Sequence, residues 1–136
     1  MRVFGIAAIC AASLLAGCST TPADLEAKAT PVVQTYPDNY QEIYRRVSTT
    51  AKRCYARNTG SYSSLAVDAD LYPDLGYGEV TLSLVNTITR NYYLLVRVEK
   101  QPTGSKMTVR SGNTLATGTY IDRIEAWAHG DDTCPL

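Results

Sequence analysis

The strongest constraint on the fold is a change of hydrophobic period at Ser63. Before it, Tyr40, Ile43, Tyr44, Val47, Ala51, Cys54 and Tyr55 recur at steps of three and four, the spacing of one stripe along an amphipathic helix. After it the period is two. Leu65, Val67, Ala69 and Leu71 alternate with Ala66, Asp68 and Asp70, which gives an extended segment one apolar face. Val80, Leu82 and Leu84 repeat the pattern in a second strand that can extend to Ile88. Tyr92, Leu94, Val96 and Val98 form a third, and Met107 and Val109 mark a shorter fourth. Turn residues separate them: Pro73 to Gly78, Thr89 to Asn91 and Gln101 to Ser105.

Asp38, with Gln41 three residues on, resembles an N-cap pair for the first helix, and Asn58 to Gly60 supplies its stop. A last helix carries Tyr120, Ile121, Ile124, Trp127 and Ala128 on one face and closes at Gly130. Short connections favour an antiparallel meander, and its apolar face needs cover. The expected fold is therefore α+β: a four-stranded antiparallel sheet with an N-terminal and a C-terminal helix on one face, in the order α-β-β-β-β-α.

The N-terminus carries a different signal. Arg2 is the sole charged residue before Asp24, and the apolar run from Val3 to Gly17 ends on small residues. That is the layout of a secretory signal peptide, too short for an ordinary membrane span. Leu15, Ala16 and Gly17 lead into Cys18, an ending that resembles a bacterial lipobox. The alternative is an ordinary signal peptide with a cysteine near its cut by chance. The resemblance implies that Cys18 takes a diacylglycerol, is cut free and is acylated with palmitate-type chains; several chains on one residue give durable anchoring where one does not. Ser19 by the same resemblance favours the outer membrane. The expected organisation is a lipoprotein signal peptide over 1–17, a lipidated cysteine and flexible tether over 18–37 containing Pro22, Pro31 and Pro37, and an α+β periplasmic domain over 38–136.

Four cysteines occur. Cys10 falls in the apolar run and Cys18 is the proposed anchor, which leaves Cys54 and Cys134 as a disulfide pair in an exported chain. His129 is the single histidine and no Cys-x-x-Cys spacing exists, so these two sulfurs make a poor metal site. Thirteen basic residues balance thirteen acidic ones, which argues against a nucleic-acid partner. Ten tyrosines against one Phe and one Trp favour surfaces that are part apolar and part wet.

Several constellations invite chemistry. The run Asp68 to Glu79, "DADLYPDLGYGE", has the acidic outline of a calcium loop, but Tyr72 stands at its fifth position and Pro73 where a glycine turn is needed. The expectation is solvated carboxylates instead. Arg45, Arg46, Lys52 and Arg53, with Arg57, lie off the apolar stripe. They form either a binding stripe for phosphates of lipid headgroups or another anionic envelope polymer, or a solvated face with local partners such as Glu42 before Arg46. His129, near Asp131 and Asp132, lacks a nucleophile context and suits the negative end of a helix. No catalytic residue, metal or cofactor is expected. By alternation, Val85, Tyr93 and Leu95 point the same way as Thr81, Ser83 and Arg97. With Tyr72 and Tyr77 they form either a partner surface or a face covered by a second layer, such as the tether folding back.

The whole-chain pattern resembles small proteobacterial outer-membrane lipoproteins of uncharacterised function, and the helices on a sheet resemble a helix-grip arrangement. The resemblance implies a non-catalytic outer-membrane lipoprotein whose domain faces the periplasm and offers a surface to an envelope protein. The other reading is a binding module for a lipid, a glycan or an anionic polymer.

Overall fold

The structure, a computed structural model, describes residues 20–112 and 116–135. The expected signal peptide over 1–17 and the anchor Cys18 lie outside the described residues. The elements are α1 (Pro22–Lys28), β1 (Val32–Tyr36), α2 (Tyr40–Tyr55), β2 (Arg57–Gly60), β3 (Ser63–Tyr72), β4 (Tyr77–Asn86), β5 (Arg90–Lys100), β6 (Ser105–Ser111) and α3 (Thr117–Ala128), with a short 3-10 turn, Pro73–Leu75, between β3 and β4. The fold is α+β with an antiparallel sheet. That sheet has six strands in the order β1-β6-β5-β4-β3-β2, in place of the four expected.

One face carries the main core. Val80, Leu82, Leu94, Val96, Val98, Met107 and Val109 are buried together with Ile43, Val47 and Ala51 of α2 and with Ile124 and Trp127 of α3. The stripe read from the sequence is therefore the buried face of α2. Tyr55 closes this core, its ring 5.6 Å from Tyr120 and 5.2 Å from Trp127. Asn39, one residue beyond the expected Asp38, caps α2 by accepting from the Gln41 N–H. Asp38 faces the Arg46 guanidinium at 3.5 Å.

Cys54 and Cys134 are joined, with Cα atoms 5.2 Å apart. The chain leaves α3 at Ala128, and the residues after it return along α2, where Asp132 meets Arg53 before Cys134 meets Cys54. The indole N–H of Trp127 donates to the Thr133 carbonyl at 2.9 Å and holds that return in place.

On the second face the expectation of a mobile tether fails, and the alternative of a covering layer holds. The stretch 18–37, read as an extended and mobile tether, forms a helix and a strand over most of its described part. Thr21 caps α1 in a reciprocal box: its hydroxyl accepts from the Asp24 N–H at 3.1 Å, and its own N–H donates to the Asp24 carboxylate at 2.9 Å. Pro22 follows the cap, where its missing N–H costs nothing. β1 adds to the sheet edge, Val32 opposite Val109 and Tyr36 opposite Ser105. The flanking Pro31 and Pro37 fit an edge strand, which needs no donors beyond its ends.

α1 packs on β5 and β6 from the side opposite α2. Leu25, 2 % exposed, seats over Gly112, where an added Cβ would stand 2.6 Å from its methyl group. Leu95, also 2 % exposed, is outside the main core and shares its face with Arg97, which reaches Glu26 of α1 at 3.8 Å. The folded-back tether is thus the cover of the second face.

A bridge over a loop of 80 residues should contribute roughly 4 to 5 kcal/mol by restricting the unfolded chain. Urea melts with and without reductant should differ by that amount, and Cys54 and Cys134 should alkylate only after reduction. Equal melts, or ready alkylation of the untreated protein, would contradict the assignment.

Candidate functional site

The two ends of the sheet differ in chemistry, and the β3–β4 hairpin is the more developed. Register sets Tyr72 directly opposite Tyr77, and their rings stack at 4.9 Å with 36° between planes. Pro73 fixes the backbone of the turn that follows, and Leu75 at its end is 69 % exposed. Arg97 lies over the Tyr77 ring at 4.4 Å and also holds Glu79 at 3.0 Å. The aromatic pair is therefore clamped by a cation that is itself paired, which limits its motion.

A third tyrosine joins from the other face. Gly78 leaves room for the Tyr44 ring of α2, since a Cβ there would fall 2.5 Å from it. Burial pushes the Tyr44 phenol up, with the neighbouring Asp70 and Tyr72 adding to it. The Asp70 carboxylate pushes the Tyr72 phenol up, aided by burial, Tyr77 and Glu79. Three tyrosines therefore gather around one hairpin, beside an exposed leucine. Such a mixture of aromatic area, apolar tip and hydroxyls suits contact with another protein.

The five residues expected to share one surface do not all meet. Tyr72 and Tyr77 do. Val85 is eight residues along β4, about 26 Å away at the ordinary strand rise. A bulge in β5 pairs Leu82 with Leu94 but Ser83 with Tyr92. Tyr92 consequently takes the outer face, where Arg90 sits over its ring, and Tyr93 lies close enough to Tyr120 of α3 to help raise that phenol after burial has done most. Leu95 is under α1. Sequence alternation carried no sign of the bulge. Tyr44 was missed as a site residue because its spacing marked it only as core; the signal was Gly78, a small residue inside a strand.

The basic stripe is largely spent on local partners. Arg45 grips Glu42 through two bonds of 2.9 and 2.7 Å. Arg46 donates to Glu42 at 2.9 Å and to the Ala128 carbonyl at 3.0 Å, which ties α2 to the end of α3. Arg53 pairs with Asp132. Lys52 is exposed beside Val67 and Asp68 rather than in a cluster with the arginines. His129 is the C-cap of α3, exposed, with its ring edge-on to Tyr36 at 5.1 Å. Its sequence neighbour Asp131 is engaged by the Thr133 N–H and hydroxyl instead. Asp68 and Asp70 project from β3, and Asp68 pairs with Arg90. Among the described residues no group of three or more His, Cys, Asp or Glu is placed to hold a metal, and no helix is long and apolar enough to cross a membrane.

No protein-family model matches the chain, and no curated protein matches it significantly.

Glu42 supplies a pH test of the stripe. The hydrogen bond from Arg45, with Arg46 adding to it, holds the Glu42 carboxyl down at about 2. A carboxyl depressed in the folded state adds stability above its unfolded pKa, near 4.3, and that contribution disappears as pH falls through the folded value. Glu42→Gln should lower the urea midpoint at pH 7, and its deficit from the parent should shrink between about pH 4 and pH 2. A deficit that stays constant through that window would show that the ion pairs are not its cause.

Proposed function

We propose that this chain is a non-catalytic, lipid-anchored protein of the bacterial outer membrane that presents the β3–β4 hairpin to an envelope protein in the periplasm. The observation that carries this reading is the placement of the hairpin relative to the N-terminal chain. Thr20 is bonded to Tyr92, which pairs with Ser83, while Tyr77 stands six residues further along β4, about 20 Å away. A chain anchored through Cys18 would hold one end of its sheet near the bilayer and expose Tyr72, Leu75 and Tyr77 at the other.

The lipid anchor is supported by the sequence from Leu15 to Cys18 and by the short apolar run before it. Export agrees with the Cys54–Cys134 bridge, because such bonds persist in oxidising compartments. The helix-grip likeness draws support from α2 and α3, which lie together against one face of the antiparallel sheet; it speaks to fold and not to role. A role as a binder of anionic polymer has less support, since the arginines that would serve it are engaged.

The partner test is direct. Tyr72→Ser combined with Leu75→Ser, in intact cells treated with crosslinker, should eliminate the partner adduct seen with the parent chain. Leu75 is exposed and Tyr72 gives up its ring contact with Tyr77, so the unfolding free energy should fall by about 1 to 2 kcal/mol and the chain should stay folded. An undiminished adduct would remove the hairpin from the interface.

A further inference from the structure

The end of the sheet nearest the N-terminal chain has its own apolar feature, and it rests on the anchored reading above. Ile88 and Tyr62 are the two most exposed large apolar side chains among the described residues, at 91 % and 82 %. Tyr62 sits in the turn between β2 and β3, and Ile88 in the turn between β4 and β5. Ser63 pairs with Asn86, so both turns project beyond the same end of the sheet.

Single exposed apolar residues are ordinary on protein surfaces, and three further facts set this pair apart. First, the Ile88 turn is built. The Asn86 side-chain oxygen accepts from the Ile88 N–H at 3.0 Å, the Thr89 N–H at 2.8 Å and the Thr89 hydroxyl at 3.2 Å. The isoleucine is held outward by a fixed loop. Second, neither turn contains a charge: residues 60–64 read Gly, Ser, Tyr, Ser, Ser, and 86–89 read Asn, Thr, Ile, Thr. Moving them into a less polar phase incurs no ion desolvation.

The third fact is the reach of the chain. The Thr20 hydroxyl donates to the Tyr92 carbonyl at 2.8 Å, and the Tyr92 N–H donates to the Thr20 carbonyl at 3.3 Å. Cys18 is two residues earlier, and two residues span at most about 7 Å. Tyr92 is two residues from the start of β5, again about 7 Å. Acyl chains on Cys18 would therefore keep this end of the sheet within about 14 Å of the anchored residue, the length of some four strand residues.

We propose that Tyr62 and Ile88 enter the boundary between headgroups and acyl chains of the bilayer that holds Cys18. They form a second attachment that fixes the orientation of the domain. Tyrosine is favoured at that depth because its ring is apolar and its hydroxyl stays wet. The isoleucine supplies buried apolar area, as in other peripheral contacts.

The test uses the full chain, made in bacterial cells fed labelled palmitate and purified with its lipid. It is reconstituted into phosphatidylethanolamine–phosphatidylglycerol vesicles whose acyl chains carry bromine, which quenches tryptophan on contact. Trp127 is buried and provides a constant background. Fluorescence added by Tyr62→Trp or Ile88→Trp should fall at least twofold in brominated vesicles, while that added by Leu75→Trp at the far hairpin should hold. If label is incorporated but Tyr62→Trp and Ile88→Trp are quenched no more than Leu75→Trp, the two turns make no orienting contact with the bilayer, and the inference fails while the anchor stands. If no label is incorporated, the anchored reading fails and takes the inference with it. The exposure of all three positions keeps the fold out of the comparison.

Discussion

Leu95 needs shelter on the face of the sheet that α2 and α3 cannot reach, and α1 gives it. Burying Leu25 and Leu95 contributes roughly 1.5 to 3 kcal/mol each, against a net stability of about 5 to 15 kcal/mol for a domain of this kind. A seven-residue helix has no standing of its own in water. α1 exists because Leu25 finds Gly112 and the sheet beneath it, with its first turn closed by Thr21 and Asp24. Once it is seated, Thr20 is fixed beside Tyr92, and the chain before it is left with two residues to Cys18.

That single docking event links the two ends of the molecule. Arg97 lies under α1 yet contacts Glu26, Glu79 and the Tyr77 ring, so the cover of the second face also steadies the tyrosine hairpin. On the first face Arg46 does comparable work, reaching from Glu42 to the last carbonyl of α3. Among the described residues the cations act chiefly as internal ties, and the exposed large apolar side chains lie in turns and strand-end or edge positions. An anchored protein with opposed sheet ends of this kind would be oriented by one and read by the other.

Much of this was legible in the sequence from Tyr40 onward. The stripe of α2, the alternation of β3 to β6 and the face of α3 follow from spacing, because each element buries one regular face, and the Cys54–Cys134 pairing follows from setting aside Cys10 and Cys18 in an exported chain. The region before Tyr40 was harder for physical reasons. α1 and β1 are short, prolines punctuate them, and β1 is stabilised by pairing with β6, about seventy residues away, which no local pattern records. Their signals were small: Thr21, Pro22 and Asp24 spelled a capping box, and Val32, Val33, Thr35 and Tyr36 are strand formers between two prolines. Tyr93 misled because a bulge resets alternation without any residue to announce it. The choice between Asp38 and Asn39 as cap could not be made from two adjacent residues of equal capping power. Of the candidate surface, only the Tyr72–Tyr77 end survived intact, and its third member, Tyr44, was hidden in a helix stripe.

The segment before α2 is either part of the folded unit or a free leash. The most direct measurement is the urea unfolding of Leu25→Ala in the otherwise unchanged chain. If α1 covers the sheet, removing a fully buried leucine should lower stability by about 2 to 5 kcal/mol with the slope of the transition preserved. A loss below about 0.5 kcal/mol, the ordinary effect of an exposed substitution, would mean that the helix does not dock and that the short reach to Cys18 is wrong.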